Sequence, residues 1–220
     1  MKNDDQCADK PSGEHLGFSV FKRIQNETST ERVTSAIEVL HDAVKEVEAI
    51  PEGTDVFDLV YWIGMCLSAR SDLEEDANYA GAIDAFTFAA QEESNKLRSI
   101  YARGKARLFE DDFHGAIEDF SEIEQMDGEA KDPNTYYYKA KAEAGAKQFT
   151  KGLIDIDRCL ELDEDDAEAH FLRGCILYKL DRKEDACHSW QLASDLGHEL
   201  ALQTFEELGC IRTLITGRRN

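Results

Sequence analysis

The stretch GAIEDFSEIEQMD, residues 115–127, sets Ala116, Phe120 and Ile123 at i, i+4 and i+7, one apolar stripe along a helix. The phrase recurs as GAIDAFTFAA at 81–90, GLIDIDRCLELD at 152–163 and DACHSWQLASDLG at 185–197. Its small opening residues, Ala82, Ala116, Gly152 and Ala186, stand 34, 36 and 34 residues apart. Four residues after each comes a bulky side chain: Phe86, Phe120, Ile156 or Trp190. Three residues further on stands Ala89, Ile123, Cys159 or Ala193. Twelve residues before the last three openings lies a second small residue, Gly104, Ala140 or Gly174. A small residue there lets a preceding antiparallel helix approach closely. A period near 34 suits two helices of about 13 residues with their turns. The expected fold is therefore all-α, a solenoid of antiparallel helix pairs.

This pattern resembles the tetratricopeptide repeat (TPR) family over most of the chain, in spacing more than in identities. The family's closing Pro is absent from all four phrases, and Ile100, Tyr136 and His170 stand where a Trp is usual. The first repeat departs further, because Gly64 precedes Ala82 by eighteen residues; SARSDLEEDANY carries the extra length as a longer turn or first helix.

The reading divides the chain into a disordered tail (1–13), a degenerate helix pair (14–53), four repeats over 54–198 (about 57–94, 95–130, 133–166 and 167–198), a C-terminal capping helix (199–216) and a tail (217–220). In the degenerate pair, Ala36, Leu40 and Ala43 repeat the stripe, and Ser29 or Thr30 offers an N-cap. A terminal helix is expected because an end repeat would otherwise expose its apolar face.

The formal charge of −21, from 25 basic and 46 acidic residues, argues against wholesale nucleic-acid binding and against docking on anionic lipid. The charge is also sorted along the chain. Residues 94–109 hold five basic residues and no acid, whereas 110–124 hold seven acids and no basic residue. Basic first helices beside acidic second helices suit either ion pairing between neighbours or an inner wall that attracts an acidic segment.

The resemblance implies that first helices line a concave groove. Three residues before each small residue of a first helix stands an aromatic, Tyr61, Tyr101, Tyr137 or Phe171, with Phe21 at the matching place upstream. Met65, Lys105, Lys141 and Cys175 follow one turn later. The expected peptide-binding groove comprises Tyr61, Met65, Arg98, Tyr101, Lys105, Tyr137, Lys141, Phe171 and Lys179. The carboxylate clamp of the Hsp90 and Hsp70 co-chaperones is not matched, since Tyr138 and Leu172 occupy its later Asn and Arg places.

No Gly-rich phosphate loop, GxSxG or HExxH motif is present, so no enzyme, cofactor or metal is expected. Adjacent Cys187 and His188 diverge by about 100° on a helix, and His170 reads as an interior histidine. The six cysteines form no CxxC pair, which suggests free thiols in a reducing, cytoplasmic setting. The amino-terminal segment has no apolar stretch suited to a signal peptide, and no apolar run approaches a membrane span. The expected role is a non-enzymatic adaptor or scaffold that binds a protein or peptide, with an acidic or carboxylate-bearing segment as ligand, acting as a monomer or weak homo-oligomer. The alternatives are a self-associating structural module or a small acidic chaperone for a secreted or assembling client.

Overall fold

The computed structural model describes residues 34, 56–72, 78–126, 132–208 and 210. The tails, the degenerate pair with Phe21 and its N-cap, and the end of the capping helix from 211 onward lie outside the described residues, Thr34 apart. Among the described residues there are nine α-helices and no strand. They are α1 (Val56–Ser71), α2 (Ala80–Ala89), α3 (Glu93–Phe109), α4 (Phe113–Met126), α5 (Pro133–Gly145), α6 (Phe149–Leu162), α7 (Ala167–Lys179), α8 (Lys183–Asp195) and α9 (Glu199–Glu207). The chain divides into two compact units, 1–106 and 107–220.

In the first unit α1 packs on α2, and the small-to-bulky register of the sequence closes the pair. A Cβ at Gly64 would stand 2.6 Å from the ring of Phe86, so only glycine admits that aromatic. Phe86 joins Tyr79, Ala82 and Ala106 in the core. The extra residues go to both expected places: α1 runs two residues longer past its small residue than α3, α5 or α7 does, and the link to α2 is longer too.

In the second unit successive helices from α4 to α9 pack in chain order, and α5 also touches α7. Gly174 repeats the arrangement of Gly64, since a Cβ there would stand 2.5 Å from the indole of Trp190. All the stripe residues are buried: Ala116, Phe120 and Ile123 in α4, Ile156 and Cys159 in α6, and Ala186, Trp190 and Ala193 in α8. Side-chain caps start the later helices, with Asp132 accepting from the Asn134 amide, Asp166 from Ala169 and His198 Nδ1 from Ala201.

The turns within the pairs share one geometry. Asp111, Lys147 and Asp181, each five residues before a phrase's opening residue, have φ of 58°, 61° and 60°. In each turn the next amide reaches back five residues, from Asp112 to Arg107, Gln148 to Glu143 and Arg182 to Leu177. Gly197, at φ 94°, closes α8 in the same way, with His198 bonded to Ala193. This is the Schellman motif, which usually places glycine in the left-handed position. Three of the four turns use Asp or Lys there, each costing about 1 kcal/mol in backbone strain.

One expectation is corrected. The cysteines are not all free thiols: Cys187 on α8 and Cys210 beyond α9 form a disulfide, with Cα atoms 5.4 Å apart. The chain leaves α8, runs along α9 and returns to the cluster of Leu177, Ala186 and Trp190. A separation of 23 residues matches no sequence motif, so the pairing depends on how α9 folds back. Cys66, Cys159 and Cys175 are free, and burial pushes the Cys66 and Cys159 thiols up to about 12. Those two serve as core fillers rather than nucleophiles.

Candidate functional site

The expected groove residues divide between the two units. In the first, Arg98 of α3 is ion-paired with the buried carboxylate of Asp58 on α1. Its guanidinium also lies over the Tyr61 ring, 4.4 Å from the centroid. Tyr61 packs against Trp62 and Phe86, and its hydroxyl is pushed up by burial. Met65 packs against the same core. Arg98 therefore ties α1 to α3, and its charge is already engaged. Tyr101 and Lys105 are half-buried on α3 with the same i, i+4 spacing as Tyr137 and Lys141 on α5.

In the second unit Tyr137 is partly buried against the core of Ala140, Ile156 and Ile176. Burial, then the nearby Glu168 carboxylate, raises its hydroxyl well above the usual tyrosine value. The exposed Lys141 ammonium lies 6.0 Å from the Tyr137 ring centroid, at the outer limit of a cation–π contact. Phe171 on α7 stacks on the His198 imidazole with centroids 4.2 Å apart, so this ring helps seat α9. Lys179 is exposed at the end of α7.

The sorted charge of the sequence goes largely into pairing between helices. Arg107 of α3 binds the buried Asp119 of α4 at 2.9 Å. Lys139 of α5 bridges Glu124 of α4 at 2.7 Å and Asp155 of α6 at 3.2 Å. Arg158 reaches the same two carboxylates, each at 3.1 Å. Arg173 of α7 binds Asp157 of α6 at 2.6 Å. Lys141 and Lys179 make no ion pair among the described residues, in contrast to Lys139 and Arg173 on the same two helices.

Sequence reasoning overlooked the carboxyl cluster beneath this face. Glu143 and Asp155 are buried between α5 and α6, with Lys139, Glu124 and Arg158 around them. Each lies three residues after its helix's small residue, Ala140 or Gly152, on the packed side. Aligning the repeats on those small residues would have exposed the pair. An open pocket of about 250 Å³ beside the cluster is lined by Glu124, Tyr136, Arg158, Glu161 and Leu162. Its Arg158 is already paired with Glu124 and Asp155. His170 Nε2 faces the Glu164 carbonyl at 2.9 Å, and among the described residues no group of His, Cys, Asp and Glu could hold a metal ion. No helix among the described residues is long and apolar enough to cross a membrane.

The chain is similar to solved structures of MamA. For MamA 41-end from Desulfovibrio magneticus RS-1 the identity is 19%, covering 84% of this chain and 96% of that one, with a TM-score of 0.67. For the MamA RS-1 ArsTM double mutant the identity is also 19%, covering 84% of this chain and 95% of that one, with a TM-score of 0.65. For MamA of AMB-1 the identity is 11%, covering 82% of this chain and 96% of that one, with a TM-score of 0.59. No family model matches the sequence, and no curated protein does. At these identities the likeness is one of fold. That fold is of the tetratricopeptide type.

Proposed function

We propose that the protein is a non-enzymatic interaction module that receives an acidic or carboxylate-bearing protein segment on the first-helix face of its repeats. The observation that carries this reading is the uneven use of cations on α5 and α7. Lys139 and Arg173 are engaged by carboxylates of neighbouring helices, while Lys141 and Lys179 are exposed and outside any ion pair among the described residues. Lys141 stands beside Tyr137, and Phe171 supplies a second ring on α7. Aromatic surface next to an uncommitted ammonium suits a peptide carboxylate, through apolar contact and a charge-assisted hydrogen bond. In the first unit Arg98 is assigned to holding α1 against α3.

The test is binding of an array of acidic peptides by wild type and by a Lys141→Glu, Lys179→Glu double variant, with melting curves alongside. Wild-type binding should weaken as salt rises, because exposed charges are screened over about 10 Å at 0.1 M. The double variant should lose about tenfold in affinity, equivalent to about 1.4 kcal/mol, with its melting midpoint unchanged. Equal binding by both proteins at low salt rules the reading out.

Self-association is favoured by a different observation. Leu200, Leu202 and Leu208, on or just beyond α9, the last described helix, are 59%, 52% and 43% exposed, whereas an end cap usually presents a polar outer face. Sedimentation equilibrium separates the two: a monomer leaves the interaction module alone.

A further inference from the structure

We propose that Glu143 is held protonated against the Asp155 side chain in the α5–α6 interface, which makes the packing of this helix pair sensitive to pH. Both side chains are almost wholly excluded from water, at 2% and 4% exposure. The local cations do not divide evenly between them. Lys139 and Arg158 each bind Asp155 and Glu124, and neither ion-pairs with Glu143. Glu143 Oε2 is buried without a hydrogen-bond partner, and the Asp155 charge lies near its carboxyl. Two ionised carboxylates cannot hydrogen-bond to each other. A proton on Glu143 supplies a donor and removes a like-charge repulsion in a poorly hydrated interface.

The groups facing Glu143 leave it short of compensation. From α6 come Asp155 and, more distantly, Lys151; from its own helix comes Lys139, which α4 engages through Glu124. Neighbouring α7 brings the apolar Ile176 to the same place, since a Cβ at Gly152 would stand 3.4 Å from Ile176 and 3.6 Å from the Glu143 Cβ. Burial first, then the Asp155 charge, pushes the Glu143 carboxyl up to about 7.

The direction of the effect follows from linkage. The folded chain holds a proton that the unfolded chain releases at the ordinary glutamate value of 4.5. This contribution to stability is fully present below about 4.5, is lost as pH rises towards 7, and is constant above that. Ionised Glu143 then makes a third carboxylate, beside Asp155 and Glu124, around the two cations Lys139 and Arg158.

Melting of the full chain between pH 5 and pH 8, for wild type and Glu143→Gln, is the decisive measurement. The wild-type midpoint should fall by several degrees across this range beyond the fall seen in the variant. The two curves should meet at the acid end and separate at the alkaline end, with the variant higher. Infrared spectra near pH 6 should show a protonated carboxyl band in wild type that Glu143→Gln lacks. Parallel melting curves, or a wild-type spectrum without that band, would overturn the proposal. Should Glu143→Gln fail to fold, Asp155→Asn takes its place. Its melting midpoint must then depend less on pH than that of wild type even though its overall stability is lower, and an unchanged pH profile counts against a proton held by Glu143 against Asp155.

Discussion

Two equivalent places in successive helix pairs have opposite chemistry. Three residues after the small residues Gly104 and Ala116 stand Arg107 and Asp119, which form an ion pair at 2.9 Å. Three residues after Ala140 and Gly152 stand Glu143 and Asp155, two buried carboxyls. The next pair places Leu177 and Ser189 there, and Arg173 donates to the Ser189 hydroxyl at 2.7 Å. The repeat thus specifies the separation of the helices at this point and leaves open what is buried there. Where charge is buried, its consequence depends on the partner: Asp119 has its own cation, whereas Glu143 competes with Asp155 and Glu124 for shared ones.

The largest expected effect would break the first half of this contrast. Arg107→Ala removes the ion pair to the buried Asp119 and should destabilise the second unit by roughly 3 kcal/mol. Denaturant unfolding measures this. A loss below about 1 kcal/mol would mean that water replaces the guanidinium easily, and that the two places differ less than their residues suggest. Glu143→Gln should act in the opposite direction above neutral pH, because it removes a charge that has no dedicated partner.

The next effect contrasts the last helix pair, covalently fixed, with the two before it. Cys210→Ser opens a link spanning 23 residues and should cost about 3 kcal/mol through the entropy regained by the unfolded chain. Alkylation of denatured, unreduced protein should modify Cys66, Cys159 and Cys175 and spare Cys187 and Cys210. Alkylation of Cys187 and Cys210 as well would show that α9 is held by packing alone.

The smallest expected effect concerns the turns that close these pairs. Lys147 has a φ of 61° with no side-chain reason for that conformation, so Lys147→Gly should stabilise the chain by about 1 kcal/mol. Thermal melts resolve a change of that size. An unchanged or lower midpoint would show that the lysine stem contributes packing comparable to the strain.

Much of the architecture was legible because helix packing has a fixed period. Gly174 and Trp190, sixteen residues apart, could be paired from spacing alone, and a Cβ at the first would stand 2.5 Å from the second. The N-caps Asp132 and Asp166 were present in the sequence but not picked out, although Asp before a helical run is a local signal. The candidate face was legible only in part. Tyr137 and Lys141 could be placed together by their i, i+4 spacing, but the same spacing did not reveal that Arg98 is engaged by Asp58, forty residues away. Nor could composition separate Lys139, held in a network, from the exposed Lys141 two positions later.

By itself, then, the sequence determined the helical repeat, the small-to-bulky register within each pair and the surplus of negative charge. These follow from side-chain size and periodicity along a single helix or between neighbours in the chain. Only the tertiary structure decided which cations are engaged, that Cys187 meets Cys210, and that Glu143 is buried against Asp155. Those outcomes turn on distances of a few ångströms between side chains remote in sequence, and electrostatic and covalent partners are chosen at that scale.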